Sequence, residues 1–272
     1  AVSDVEALRA AYSATVKVSN ALAGTLTKPY TLLFPAKAQT PSLGAQFYPQ
    51  SPGYATMTVN VNGTVTYVGK LADHSVLSSS GALVTGDQFP IFSALYVGKG
   101  VIAGYAGITD SNTSTYDVTA TDLLWVRPVI ATSQWYPDGW PDGITLDAVG
   151  ARYDLPPALP AKSVFPDLQA LNPNTTLTFT DGLLSGPQTF DQTISTSNIV
   201  TNVPVAISPT MVITKATGFI TGNFPHTDLT KPVYQGVIMQ KGALKGASGY
   251  FMSRATPLDY LGESGTMRAV AK

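Results

Sequence analysis

The stretch that decides the fold is Met57-Thr58-Val59-Asn60-Val61-Asn62-Gly63-Thr64-Val65-Thr66-Tyr67. Apolar residues alternate with Thr and Asn on both sides of Asn62-Gly63, and this period of two is typical of strands with one buried face. An Asn-Gly pair between two such runs favours a tight hairpin, and both turn positions are expected to take positive φ. The stretch therefore predicts antiparallel strands. A helical pattern covers residues 4–14, and we expect one short N-terminal helix there.

An internal repeat extends this prediction to the rest of the chain. Residues 89–104 align without a gap on residues 231–246, and the Pro, the Lys-Gly pair and the final Gly keep their spacing. Each block has the pattern of a strand, a turn at Lys-Gly and a return strand. Residues 63–71 and 218–224 form a similar pair upstream, in the same order. We predict an all-β fold of two tandem, internally repeated antiparallel barrel or sandwich units. One pseudo-two-fold closed barrel is the alternative.

Prolines mark the boundary between the two copies. They cluster over residues 153–166, and because proline lacks the N–H that a strand ladder needs, we expect an extended connector there. The predicted organisation is an N-terminal segment at 1–29, a first β repeat at 30–128, a Trp- and Pro-rich connector at 129–175 and a second β repeat at 176–272.

Charge and composition exclude several classes of partner. Only 12% of the residues are charged and the formal net charge is -1, so the clustered Lys and Arg that bind nucleic acid or anionic membranes are not expected. No apolar run approaches the roughly 18 residues of a membrane helix, and we predict that the chain does not span a membrane. Few charged residues are available to prevent the sheet edges from pairing with another chain. We therefore expect the edges either to close or to serve self-assembly or contacts with other surface-protein domains.

Short Gly and aromatic motifs carry a resemblance that covers most of residues 30–272. The motifs are Gly53-Tyr54-Ala55-Thr56-Met57-Thr58-Val59, Leu123-Leu124-Trp125-Val126-Arg127-Pro128, Tyr136-Pro137-Asp138-Gly139, Gly150-Ala151-Arg152-Tyr153, Tyr234-Gln235-Gly236-Val237-Ile238-Met239-Gln240-Lys241 and Gly249-Tyr250-Phe251. They resemble a poorly characterised family, the β-rich C-terminal module of large secreted or surface proteins of environmental bacteria. The resemblance implies an extracellular β module and supplies no catalytic or ligand residues. Asp73-His74 departs from the pattern, because an Asp-Gly turn is expected at that point.

The sequence also gives indications of the compartment in which the protein is found. The chain contains no Cys, which excludes disulfides, thiolate metal sites and Cys nucleophiles. It starts at Ala1 without Met, and we expect processing of a secreted precursor, although a trimmed domain would start the same way. Together with the resemblance, this predicts an extracellular or cell-surface location.

Catalytic patterns are scarce. Glu6 and Glu263 are the only Glu residues and lie near opposite ends of the chain, which disfavours a pair of facing Glu carboxylates. No Gly-x-Ser-x-Gly nucleophile elbow occurs. We predict that the protein is not an enzyme, with an Asp-dependent hydrolase as the alternative.

Metal-ligating patterns are weak as well. Asp138, Asp142 and Asp147 bring three carboxylates close in sequence, and hard oxygen ligands of this kind suit Ca²⁺. Their spacing does not match an EF-hand, and Asp-Gly is first of all a turn signal. His74 and His226 occupy similar places in the two copies, as metal ligands beside Asp or as polar loop residues. We predict no cofactor, with calcium at the three Asp residues as the alternative.

The aromatic loop is the best candidate for binding. Trp135, Tyr136 and Trp140 lie in a Pro- and Gly-rich stretch, where flat rings would stack on the apolar faces of sugars. The competing interpretation is that these rings pack the connector onto the two sheets. Our prediction is a non-catalytic extracellular structural or adhesive β module of a bacterial surface or secreted protein. The alternative is a carbohydrate-binding module with a polysaccharide as its partner.

Overall fold

The structure is a computed structural model that describes residues 8–19, 22, 27–39, 44–109, 115–156, 162–205, 209–254 and 261–272. These residues form sixteen strands in two sheets. The strands of the first sheet are β1 (Thr27–Phe34), β2 (Gly53–Asn60), β3 (Thr64–Lys70), β4 (Val76–Ala82), β5 (Gln88–Leu95), β6 (Gly100–Ile108), β7 (Val118–Arg127) and β8 (Trp140–Arg152). Those of the second are β9 (Thr175–Asp181), β10 (Gln188–Ile194), β11 (Val200–Val203), β12 (Val212–Thr214), β13 (Phe219–Asn223), β14 (Val233–Met239), β15 (Gly246–Met252) and β16 (Ser264–Ala271).

Both sheets are nearly closed, barrel-like meanders. The first has the order β4-β3-β2-β1-β8-β7-β6-β5 and the second β11-β10-β9-β16-β15-β14-β13-β12, with every neighbouring pair antiparallel. Side chains bridge each remaining seam. The Tyr67 hydroxyl accepts the Phe92 N–H at 2.8 Å in the first sheet, and Asn202 Nδ2 donates to the Pro209 carbonyl at 2.8 Å in the second. The all-β prediction of two tandem units is confirmed.

The hairpin predicted at Asn62-Gly63 joins β2 to β3, but with a different turn. Gly63 has a φ of 84°, while Asn62 does not take positive φ. The Gly63 N–H donates to the Asn60 carbonyl at 2.9 Å, so a turn over residues 60–63 ends in one left-handed residue. Three-residue hairpin loops are built this way, and only their last position requires glycine-like φ.

The two aligned blocks are both hairpins, at different places around their sheets. Residues 89–104 lie on β5 and β6, and residues 231–246 include β14 and its turn into β15. In chain order these are the fifth and sixth strands of one sheet and the sixth and seventh of the other. The shared pattern therefore specifies a strand-turn-strand unit rather than equivalent positions in two superposable copies.

The first sheet extends beyond the predicted boundary at residue 128. Strand β8 lies inside the segment 129–175 that the Trp and Pro content predicts as a connector, and it pairs with both β1 and β7. Its alternation of Ile144, Leu146 and Ala148 buries one face. The link between the sheets follows β8, and its residues 157–161 lie outside the described residues.

The predicted N-terminal helix is not seen in residues 8–14, the described part of residues 4–14. This segment is irregular, with one bridge residue and bends. Ala10 forms an antiparallel bridge with Val84, and the Tyr12 hydroxyl donates to Asp87 Oδ1 at 2.5 Å. The backbone of this segment pairs with the turn between β4 and β5. Backbone groups of that turn thereby gain hydrogen-bond partners that a helix at residues 8–14 would not supply.

Three apolar clusters hold the fold together. One fills each sheet, and the third lies between the two sheets. The third cluster consists of Leu33, Tyr54, Ala72 and Ala151 from the first sheet and Val237, Met239 and Tyr250 from the second. Strands at this interface are buried on both faces, as the unbroken burial of residues 30–34 shows. Among the described residues, no helix has the length and apolar character that a membrane crossing needs.

Polar contacts cross the same interface. Buried Thr31 donates through Oγ1 to the Ile238 carbonyl at 2.7 Å, and Ser51 Oγ donates to Ser264 Oγ at 2.8 Å. Further out, Lys241 Nζ lies 2.9 Å from Asp117 Oδ1. These bonds fix the register of one sheet on the other, in addition to the apolar contact.

Candidate functional site

A cleft of about 410 Å³ opens where the two sheets meet. The first sheet contributes His74 and Trp135. The second contributes Thr230, Lys231, Pro232, Val233, Met252 and Arg254. The cleft therefore combines an aromatic ring, cationic side chains and apolar surface, and it exists only because the sheets are joined.

The turn between β3 and β4 positions His74. Asp73 Oδ1 accepts the Ser75 N–H at 2.9 Å and the Ser75 hydroxyl at 2.5 Å, which closes a tight turn around His74. His74 adopts a φ of 72°, the left-handed conformation that the expected Asp-Gly turn would place on glycine. His74 in this position, where the sequence analysis expects glycine, puts an imidazole at the mouth of the cleft.

The same aspartate anchors a buried ion pair. Arg127 Nη1 lies 2.5 Å from Asp73 Oδ2, with side-chain exposures of 7% and 0%. The Tyr96 hydroxyl donates to the same oxygen at 2.6 Å, and Trp125 Nε1 donates to that hydroxyl at 3.0 Å. Burial, followed by the charge of Asp73, raises the pKa of Tyr96 above its usual value. Tyr96 is thus held protonated as a donor, and the carboxylate is fully hydrogen-bonded.

Arg127 also fixes the loop that carries Trp135. Its Nη2 donates to Ser133 Oγ at 3.1 Å and to the Trp135 carbonyl at 3.0 Å, and its Nε donates to the Tyr136 carbonyl at 3.3 Å. A guanidinium presents five donors in one plane, so a single side chain can hold a carboxylate and a loop backbone at once. The orientation of the Trp135 loop therefore depends on the Asp73–Arg127 pair.

Trp135 spans the junction between the sheets. Its indole Nε1 donates to the Ser253 carbonyl at 2.6 Å, and its backbone forms a parallel bridge with Gly262. A Cβ on Gly262 would lie 2.3 Å from Nε1, so only glycine fits against the ring. Trp135 is half-buried and remains part of the cleft wall.

A second turn, residues 226–230, supplies the opposite wall. Asp228 Oδ1 accepts the N–H of Thr230 at 2.8 Å and its hydroxyl at 2.6 Å, and Leu229 has a φ of 66°. This is the same turn as the one at Asp73, with Leu229 in the place of His74. The chain leaves it through Lys231 and Pro232, which enter β14 beside the cleft.

The electrostatics of the cleft are cationic. Lys70 Nζ lies 2.9 Å from His74 Nε2, and the Tyr250 hydroxyl lies 3.1 Å from His74 Nδ1. An ammonium can only donate, so we assign the imidazole proton to Nδ1. Burial, followed by the charge of Lys70, lowers the pKa of His74, and burial lowers the pKa of Lys70. No carboxylate is among the described residues that line the cleft, where Lys231 and Arg254 are exposed.

The predicted sugar platform is not an exposed surface of three rings. Tyr136 and Trp140 are buried, and only Trp135 reaches the cleft. The Trp140 ring packs edge-on against Trp125 at 4.6 Å and against Tyr136 at 5.8 Å. The Tyr136 hydroxyl donates to Ser264 Oγ at 3.0 Å and accepts the Ser264 N–H at 2.8 Å. Two of the three rings are thus core residues of the first sheet, and the Tyr136 hydroxyl alone reaches the second sheet.

The three predicted calcium ligands are dispersed. Asp142 and Asp147 both lie on β8, five residues apart, which corresponds to about 16 Å along a strand. Asp138 lies in the preceding turn, and Asp147 Oδ1 is 3.3 Å from Lys37 Nζ. Within the described ranges, no group of three or more His, Cys, Asp or Glu side chains is placed to hold a metal ion.

The two histidines have different surroundings. His226 is buried, with Nε2 2.9 Å from the Gly182 carbonyl and Nδ1 2.9 Å from Asp228 Oδ1. It closes a turn within the second sheet, whereas His74 lies at the cleft. The histidines are therefore not equivalent residues of a repeated site.

The comparisons with protein-family models, curated proteins and solved structures return no match to this chain. The resemblance to a surface-protein module stays a prediction. Sequence reasoning did not find the Asp73–Arg127 pair or the basic cleft, because their members lie far apart in the chain. The one local signal was the Asp-x-Ser/Thr turn, which occurs at Asp73 and again at Asp228.

Proposed function

We propose that this chain is a non-catalytic structural or adhesive β module of a bacterial surface or secreted protein. The observation that carries the proposal is the interface between the sheets. A dedicated apolar cluster and buried hydrogen bonds such as Thr31 to Ile238 join the sheets. Such a joint would let the two sheets respond to load as one body and would hold their surfaces in a fixed relation.

The position of the first and last strands supports a load-bearing role. Strand β1 lies between β2 and β8, and β16 lies between β15 and β9. Force applied at the two ends of the chain therefore acts along strands that are hydrogen-bonded on both sides. Several ladder bonds must break together in this geometry, which resists extension better than the loss of an edge strand.

The seams of the sheets bear on how the module meets its neighbours. Side chains of the chain itself bridge both seams, through Tyr67 to Phe92 and through Asn202 to Pro209. Closure of this kind protects unpaired backbone groups. It favours contacts with other surface-protein domains or with a polysaccharide through side chains, rather than assembly by pairing of sheet edges.

Single-molecule force spectroscopy on the whole chain, held between two marker domains, tests the proposal. We expect the sheets to unfold in one event, because the shared interface is lost when either sheet opens. Thr31→Val removes the donor to the Ile238 carbonyl at almost unchanged volume, and it should produce two-step unfolding in a larger share of traces.

The matched control is Thr58→Val. Thr58 shares an outward hydroxyl contact of 2.6 Å with Thr66 on the neighbouring strand, so the hydroxyl that this change removes bonds within the first sheet rather than to the second. Its traces should equal those of the unchanged chain. Two separate unfolding events in the unchanged chain, each releasing one sheet, would contradict a load-bearing role for the joined module.

A further inference from the structure

The residues that line the cleft between the sheets favour a negatively charged ligand. Lys231 and Arg254 line it, Lys70 stands behind His74, and none of the described lining residues is acidic. Two carboxylates lie in the turns that flank the cleft: Asp73 accepts four hydrogen bonds, one of them from Arg127, and Asp228 Oδ1 accepts the N–H and the hydroxyl of Thr230 and lies 2.9 Å from His226 Nδ1. In a chain with a net charge of -1, this concentration of positive charge is local.

The other walls of the cleft suit a sugar ring. The Trp135 indole and the side chains of Pro232, Val233 and Met252 offer aromatic and aliphatic surface. Pyranose rings present C–H faces that pack on such surface, while their substituents need hydrogen-bonding or charged partners. The volume of about 410 Å³ falls within the range of small-molecule sites, which begins at about 300 Å³.

We propose that this cleft binds a negatively charged sugar residue of a polysaccharide, a pyranose that carries a carboxylate or a sulfate. Lys231 and Arg254 face the anionic group, and Trp135 with Met252 contacts the ring. Arg can bind either anion through two parallel N–H groups, and Lys adds a point charge. The proposal rests on the adhesive role above and names the ligand class through which adhesion would occur.

The arrangement of the cleft explains why this ligand needs both sheets. Trp135 is held by Arg127 of the first sheet and by the Ser253 carbonyl of the second. Lys231 enters from the turn before β14. The first sheet alone would keep the Trp135 ring, and the second sheet alone would keep the cationic side chains Lys231 and Arg254. Neither sheet alone would hold both parts of the site. Binding of the sugar would therefore also stabilise the junction, because a ligand that contacts both sheets favours the joined state.

Titration of the intact chain with oligosaccharides of defined length tests the proposal by calorimetry and Trp fluorescence. The panel contains an oligouronate, a sulfated oligosaccharide, a neutral oligoglucoside and an oligothymidylate of matched charge. We expect saturable binding of an acidic oligosaccharide, at least tenfold tighter than binding of the neutral one, and weakening as salt is raised. The two acidic probes distinguish the carboxylate from the sulfate.

Variants locate the site. Lys231→Gln should weaken binding of the acidic oligosaccharide about tenfold. Lys245→Gln, in the turn directly before β15 and paired on the surface with Asp167, should leave binding unchanged. Both lysines are exposed, so neither change threatens folding, and circular dichroism checks that the fold is kept.

Three results would overturn the proposal: equal affinity for the neutral oligosaccharide, equal affinity for the oligothymidylate, or equal binding by the Lys231 and Lys245 variants. The force measurement is independent of the sugar. Loss of binding with one-event unfolding intact would reject the cleft as a sugar site and leave the structural role standing.

Discussion

Replacing Arg127 with Met is the most informative single perturbation of this molecule. The Arg127 side chain is 7% exposed and its partner carboxylate on Asp73 is fully buried. Removing one member of a buried ion pair leaves the other charge uncompensated, at a cost of about 3–5 kcal/mol. The carbonyls of Trp135 and Tyr136 lose their bonds from Arg127, but Ser133 Oγ still donates to the first and the Gly139 N–H to the second, so the uncompensated Asp73 carboxylate accounts for most of the cost.

The assay is equilibrium unfolding in urea, followed by far-UV circular dichroism. Arg127→Met should lower the free energy of unfolding by at least 3 kcal/mol. The double variant with Asp73→Asn should lose less than the sum of the two single variants, by about 1 kcal/mol or more, because both charges are then gone. Lys245→Gln breaks an exposed pair with Asp167 and should cost under about 1 kcal/mol.

Either of two results would refute this reasoning. A loss below about 1 kcal/mol for Arg127→Met would show that the pair behaves like an exposed one. Strict additivity in the double variant would show that Asp73 and Arg127 do not depend on each other. Arg127→Met should also loosen the Trp135 loop, which loses two anchors, and the part of the Trp emission that Trp135→Phe removes should then broaden.

Three further perturbations have defined outcomes. Val97→Asn should raise the free energy of unfolding by about 1 kcal/mol in urea unfolding, because Val97 is fully exposed and a β-branched residue at a φ of 58° is strained; a loss of stability would contradict this. Tyr136→Phe should cost about 1–3 kcal/mol by thermal unfolding, since the buried N–H of Ser264 loses its acceptor, and an unchanged melting temperature would argue against that bond. The pKa of His74 is lowered in the fold by burial and by Lys70, so the unfolded chain takes up the proton first and stability falls as the pH drops below about 6.5. His74→Gln should lose less stability than the unchanged chain between pH 7 and pH 5, and identical pH profiles would disprove the assignment.

The strand content could be predicted from local pattern, and the reasons are visible in particular residues. Alternation around Gly63 marks β2 and β3, since each apolar residue contributes to one buried face. Strand β8 was not predicted from the sequence, because Trp140 and Pro141 at its start suggest a loop. The prediction of an N-terminal helix was wrong because Ala10 and Tyr12 contact the first sheet. This tertiary contact outweighs the helical periodicity of the segment.

The site could be predicted only in part. Trp135 was among the candidates because tryptophans in a Pro- and Gly-rich stretch are conspicuous. Its burial state depends on Arg127 and Ser253, which are distant in the chain, so composition alone could not separate it from Trp140. The cationic character of the cleft was equally hidden. A net charge near zero describes the whole surface and says nothing about how Lys231 and its neighbours are grouped.

The central claim is that the two sheets form one cooperative unit, and differential scanning calorimetry of the whole chain tests it most directly. A single transition is expected, with a calorimetric enthalpy equal to the van't Hoff enthalpy, because the apolar cluster around Tyr54 and Tyr250 is shared by both sheets. Two resolved transitions, or a calorimetric enthalpy close to twice the van't Hoff value, would contradict the claim and leave two separate domains on one chain.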